Sequence, residues 1–420
     1  MVWMILMLVA GAVLVLVVAN LSSSEKRIEH EIEHLYAVGD PQFVRSMGTL
    51  LGPAILTGNR VTALRNGDEI FPAMLEAIRS ANRTITFETY IYWSGAVGKE
   101  FSDALTERAR AGVKVHVLLD WVGSGKMDDD MMRSMEAADV EVVKYHPLRW
   151  YNMGRLNNRT HRKLLVVDGV VGFTGGVGIA DNWLGNAQDE EHWRDSHFRL
   201  EGPAVAQMQT AFMDNWIEAR GRVLHGDLYF PELQSVGPHA AQLFKSSASE
   251  ASESVRLMYL LSIASAVKSV RIANAYFVPD SLAVATLVAA QRRGAQVEII
   301  VPGRHTDATV VRRASRSRWG PLLEAGVAIY EYQPTMYHTK VMVVDEAWTS
   351  VGSTNFDNRS FRLNDEANLN VLDAEFASGQ VRMFELDKAR SKRLTLEWWR
   401  SRPWHQRARE HLAALFRLQL

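Results

Sequence analysis

The stretch His161-Arg162-Lys163-Leu164-Leu165-Val166-Val167-Asp168 returns later in the chain as His338-Thr339-Lys340-Val341-Met342-Val343-Val344-Asp345. His, Lys and Asp recur at one offset of 177 residues (338 − 161), and so do the following Gly175 and Gly352. A single His-x-Lys before an apolar run is an ordinary strand edge. Two copies in register mark a duplicated unit. On a strand, residues two apart share a face, so each His–Lys pair leaves the sheet together, while Arg162 and Thr339 point the other way. Asp168 and Asp345 stand seven residues from their histidines. That odd spacing puts them on the opposite face and predicts a structural role at the following turn.

Outward from the motifs, Thr84-Ile85-Thr86-Phe87-Glu88-Thr89-Tyr90-Ile91-Tyr92 resembles Val270-Arg271-Ile272-Ala273-Asn274-Ala275-Tyr276-Phe277-Val278. Both read as strands, and each is followed by a helical stretch, a glycine and another strand beginning at Gly112 or Gly294. Strands alternating with helices predict an α/β fold. The expected architecture is two repeats, each a mixed sheet flanked by helices, packed about a pseudo-twofold axis around one active site. The predicted organisation is an anchor at 1–21, a juxtamembrane helix and connector at 22–61, the first repeat at 62–220 and a Pro-, Gly- and Ser-bearing linker at 221–254. The second repeat follows at 255–400, and an amphipathic segment at 401–420 closes the chain.

Two His–Lys pairs facing one site suit a phosphate. Two lysines supply fixed positive charge, one imidazole can attack phosphorus, and the other can protonate a leaving oxygen. No metal-ligand set or nucleotide-binding glycine loop accompanies them, and no cofactor is expected. His30-Glu31-Ile32-Glu33-His34 matches the H-E-x-x-H zinc pattern, but it lies in a run of charges with no third ligand and reads as a solvated helix.

The paired H-x-K-x4-D motifs resemble those of the phospholipase D superfamily over about 62–400. The run Gly352-Ser353-Thr354-Asn355-Phe356-Asp357-Asn358-Arg359-Ser360-Phe361-Arg362-Leu363-Asn364-Asp365-Glu366 is similar to the bacterial cardiolipin synthases in particular, as are Trp193-Arg194-Asp195-Ser196-His197 and Glu201-Gly202-Pro203. The resemblance implies catalytic positions at His161, Lys163, Asp168, His338, Lys340 and Asp345, with His161 as nucleophile and His338 as acid and then base. It implies Asp195 and Glu366 as orienting acids, each expected on the histidine of its own half, and Asn355 as a phosphate ligand. Gly178 stands where the family often has a second Asn. The implied reaction joins two phosphatidylglycerols into cardiolipin and glycerol through a phosphatidyl-histidine.

The expected partners are a phospholipid substrate and the bilayer, with no nucleic acid, at the bacterial inner membrane. Residues 1–21 carry no charge, and as a helix they would cover roughly 30 Å, a bilayer core. No Lys or Arg precedes that run, which favours an uncleaved anchor over a signal peptide. Lys26 and Arg27 after it put the body on the cytoplasmic side. The formal net charge of −1 argues against a nuclease. There is no cysteine, which excludes disulfides and thiol nucleophiles. Two further features fit lipid. Arg304, Arg312, Arg313, Arg316 and Arg318 form a basic stretch able to hold anionic headgroups or to line a solvated helix face. Trp398, Trp399 and Trp404, with Ala408, Leu412, Leu415 and Gln419-Leu420 at near-helical spacing, suit either a membrane interface or packing on the core. A phospholipase D hydrolysing headgroups and a non-catalytic lipid scaffold are the other readings.

Overall fold

The structure, a computed structural model, describes residues 2–21 (side chains to residue 15), 28–147, 157–247 and 253–415. The strands of the first half are β1 Leu56–Arg65, β2 Thr84–Thr89, β3 Lys114–Asp120, β4 Glu141–Tyr145, β5 Arg159–Thr160, β6 Leu164–Val167, β7 Val171–Gly175 and β8 Ser196–Glu201. Those of the second are β9 His239–Ser246, β10 Ser269–Asn274, β11 Gln296–Pro302, β12 Ala328–Tyr332, β13 Lys340–Val344, β14 Trp348–Gly352, β15 Asn364–Leu372 and β16 Ser391–Leu394. They lie in the order β16-β12-β11-β10-β13-β14-β15-β9-β1-β8-β7-β6-β2-β3-β4, with the short β5 on β15. The two arms mirror each other about the antiparallel β9–β1 contact. In each arm three parallel strands carry the crossover helices and an antiparallel meander carries the motif.

The expected repeats are therefore joined as one continuous sheet. It folds back on itself, because Val166, Phe198 and Leu200 of the first half share a buried cluster with Leu243, Val351, Leu369 and Val371 of the second. Each such side chain contributes roughly 2 kcal/mol on leaving water. Helices cover the outer faces. Asn66–Ser80 and Ala96–Arg110 lie over the first arm, and Ser254–Ala264 and Ser281–Arg292 over the second.

Several expectations are corrected. Segment 221–254 holds β9, the counterpart of β1, which itself begins at Leu56 inside the expected connector. The likeness between β2 and β10 is one residue out of register. Ile85 pairs with Val167, and Val270 with Val344, an offset of 185 (270 − 85) where the sequence likeness used 186. The segment around His30 is not helical. It runs along the second half, with Ile28 and Ile32 against the core and His34 Nδ1 2.8 Å from the Ala264 carbonyl. An apolar residue every fourth position there serves an extended strap rather than a helix face.

The first helix, Val2–Leu21, contains 20 residues and no charge. Its described side chains stop at Val15, and within the described residues no helix is long and apolar enough to cross a membrane. At the other end, helix Trp404–Ala414 docks through Glu410, Ala413 and Ala414. The stripe Trp404, Ala408, Leu412 and Leu415 faces solvent, so core packing is not its use. Gln419 and Leu420 lie outside the described residues.

Candidate active site

Both motifs enter the sheet at the same point of their arms, just ahead of β6 and at the head of β13. The backbone N–H of His161 donates to the carbonyl of Asp365 at 2.8 Å, and that of His338 to the carbonyl of Arg194 at 2.8 Å. Each histidine is thus stitched to the residue before the other half's acid. His161 Nδ1 lies 3.0 Å from both Glu366 oxygens, and His338 Nδ1 lies 2.7 Å from Asp195 Oδ2. The expected pairing within each half is therefore wrong: the acids cross. The cause is topological. Each acid stands at the start of a strand (β8 or β15) whose leading end meets the opposite half's motif across the fold-back of the sheet.

The carboxylates are fully buried and can only accept, so each Nδ1 donates and each Nε2 keeps its lone pair. Asp195 is held in turn by the Ser196 N–H at 2.8 Å and by Trp183 Nε1 at 2.9 Å; Glu366 accepts from the Ser353 hydroxyl at 2.5 Å. Lys163 Nζ donates to the His161 carbonyl at 2.9 Å, and Lys340 Nζ to the His338 carbonyl at 2.6 Å. In addition, Lys340 Nζ sits beside the His338 ring, 3.1 Å from Nδ1 and 3.2 Å from Nε2.

Burial dominates the electrostatics. It pushes the Lys163 ammonium down to about 7 and that of Lys340 to about 8. Burial, with Lys163 and Lys340 adding to it, pushes His161 down to about 4 against the pull of Glu366. Burial and the Lys340 charge also lower His338. For both lysines desolvation outweighs the pull of the Glu366 and Asp195 carboxylates.

His161, Lys163, His338 and Asn355 line one cavity of about 270 Å³. Lys340, Asp195 and Glu366 are not on its wall and stand behind the histidines. Asn355 Oδ1 is buried with no hydrogen-bond partner among the described residues. Its counterpart Gly178 is no gap: a Cβ there would lie 2.8 Å from Ile91 Cβ and 3.2 Å from the Trp183 ring. The indole fills the place of the second amide.

Asp168 and Asp345 are far from this chemistry, as their spacing predicts, although the resemblance counts them with the motif. Each sits at φ 53° in the turn after its strand. Asp168 accepts from the N–H groups of Asn82, Arg83 and Thr84, and Asp345 from those of Val267, Lys268 and Ser269. They clasp the start of β2 and β10.

Sequence reasoning missed the aromatic walls. Tyr90 stands edge-on to His161, with ring centroids 5.3 Å apart, and Trp183 and Trp193 flank His338 at 5.3 and 5.4 Å. Tyr90 lies within a stretch already quoted as a strand, and Trp193 begins a quoted motif; Trp183 carries no local signal. Asp357 also lines the cavity, its carboxyl raised to about 7 by burial.

A sequence model of a family described as cardiolipin synthase, PLD-like domain, matches residues 74–216 and 259–388. A cardiolipin synthase of Geobacillus kaustophilus is 35% identical over 360 residues, covering 85% of this chain and 72% of that protein. Cardiolipin synthase A of Pseudomonas fluorescens is 34% identical over 355 residues, covering 84% of this chain and 74% of that protein. The crystal structure of phosphatidylserine synthase from Haemophilus influenzae shares the fold, with a TM-score of 0.67 at 15% identity over 90% of this chain and 99% of that one. The two matched segments, the duplicated sheet and the paired motifs agree: this chain belongs to the cardiolipin synthase family of phospholipase D-like enzymes.

Proposed function

We propose that the chain is a phosphatidyltransferase that joins two phosphatidylglycerols into cardiolipin and glycerol. His161 Nε2 attacks the phosphorus of the first lipid, and the P–O bond to its glycerol headgroup breaks. The departing oxygen takes a proton from His338 Nε2, leaving a phosphatidyl-histidine. A hydroxyl of the second lipid then gives its proton to His338 and attacks phosphorus. The P–N bond breaks, and both histidines return to their starting states. Lys163 and Asn355 face the phosphoryl charge in this scheme, Lys340 adds positive charge from behind His338, and Asp195 and Glu366 hold the imidazole tautomers. Arrival of a phosphodiester anion raises the basicity of the neighbouring cations, which supports a protonated His338 in the loaded site.

The observation that carries this reading is a pair of imidazoles, each with Nδ1 on a buried carboxylate, lining one cavity. Lys340 Nζ lies beside the His338 ring, 3.1 and 3.2 Å from its two nitrogens, whereas no donor among the described residues approaches His161 Nε2, which supports His161 as the nucleophile. The uncharged first helix supports a membrane anchor, with Lys26 and Arg27 favouring a cytoplasmic catalytic body. The test is to incubate the purified protein with phosphatidylglycerol vesicles and to identify the products by mass. Cardiolipin with glycerol is expected. Phosphatidic acid alone would make the enzyme a hydrolase, and no product would remove the reading.

A further inference from the structure

The basic stretch singled out in the sequence is not absorbed by the active site. Helix Thr309–Ser317 carries Arg312, Arg313 and Arg316, and it packs against the C-terminal helix Trp404–Ala414, which brings His405 and Arg409 to the same place. Between them lies a second cavity of about 290 Å³, many times the ~30 Å³ share of one water. Arg312 and Arg316 are pinned by Glu331 at 3.1 and 2.6 Å, and Glu410 is held by Arg402. Five arginines therefore meet two carboxylates. Arg313 and Arg409 are exposed and have no acidic partner among the described residues. The Nε–H of Arg312 is buried without an acceptor there. Guanidinium groups lining one cleft suit the oxygens of a phosphate.

The same C-terminal helix says where that phosphate comes from. Trp404, Leu412 and Leu415 on its outer face are 75%, 60% and 74% exposed, and Val310 on the adjoining helix is 46% exposed. An indole and aliphatic side chains beside a guanidinium cleft form the profile of a surface lying at the boundary between acyl chains and headgroups. Val311, on the same helix as the arginines, reaches the wall of the active-site cavity.

We propose that this cleft is a second lipid site, which holds the phosphate of an anionic phospholipid outside the active site and seats helix Trp404–Ala414 on the membrane surface. The claim is independent of which reaction the histidines perform.

The test is hydrogen exchange on the full-length protein in neutral detergent micelles, followed on peptides covering 309–317 and 404–414. Phosphatidic acid is the probe, since it has no headgroup alcohol to displace; phosphatidylcholine and inorganic phosphate are the comparisons. Phosphatidic acid is expected to slow exchange severalfold in both peptides, and the comparisons to leave them unchanged. The Arg313→Gln/Arg409→Gln double variant is expected to lose this protection while peptides around His161 exchange as in the wild type, which checks its fold. Equal protection in the double variant, or equal protection by phosphatidylcholine, would overturn the proposal. Equal protection by inorganic phosphate would reduce the cleft to a free-anion site and overturn its assignment to a lipid.

Discussion

Lys163 is an expensive residue to keep. Its ammonium is buried and pushed down to about 7, whereas an unfolded chain would hold it near 10.5. The unfolded state therefore binds more protons between those values, so wild-type stability rises with pH across about 7 to 10.5. Lys163→Met is expected to remove that slope and to stabilise the empty protein by on the order of 4 kcal/mol at pH 7. Thermal unfolding against pH checks this. The same variant is expected to lose phosphatidyl transfer, because a charge facing the phosphoryl group is gone. His161 has the opposite operating logic. With its imidazole pushed down to about 4, it is neutral and nucleophilic at any pH well above that value. Formation of the covalent adduct from an activated phosphatidyl donor is expected to persist down to about pH 5 and to fall as His161 becomes protonated below it. Intact-protein mass after brief exposure reads this directly. Failure of the adduct already near pH 7 would assign the nucleophile elsewhere.

At the scale of elements, the motif strands were legible because parity is a local property. The two-residue spacing of His and Lys and the seven-residue spacing of Asp follow from pleating alone, and the structure keeps them. The register of β2 against β10 was not legible, because nearly every position of both strands is buried. Without an alternating polar face, nothing in the residues marks a slip by one. Strand β9 was hidden for another reason: its His-Ala-Ala-Gln opening has little β-propensity, and proline, glycine and serine flank it. The partner of each histidine was equally hidden, since spacing along a chain cannot say which half an acid will face. Gly178 shows the limit of reading a departure as a loss. Because the Trp183 indole occupies the room of the missing amide, Gly178→Asn is expected to destabilise the fold by about 1–3 kcal/mol through overpacking, without adding a useful donor. Denaturant unfolding and transfer activity would check both parts.

For the whole molecule, the crossed acids couple the two arms. A double-mutant cycle on thermal stability is expected to give strongly non-additive effects for His161→Gln with Glu366→Gln, which are in contact, and near-additive effects for His161→Gln with Asp195→Gln. Assigned to steps, Glu366→Gln should slow adduct formation, whereas Asp195→Gln should let an adduct form from an activated donor and then hold it, since His338 is the group disturbed. The opposite pattern would restore pairing within each half. The fold class and duplication were legible from the repeat, but the joining of both arms into a single folded sheet was not, because it depends on β9 meeting β1.

The crossing also sets a timetable for the newborn chain. His161 emerges from the ribosome about two hundred residues before Glu366, the carboxylate that orients it. If the first helix inserts early, the growing polypeptide is tethered beside a dense supply of phosphodiesters while its nucleophile is still unarmed. Only when β15 docks does the His161 imidazole acquire the carboxylate that fixes its tautomer. A chain that stops short of β15 therefore carries His161 without the carboxylate that orients it.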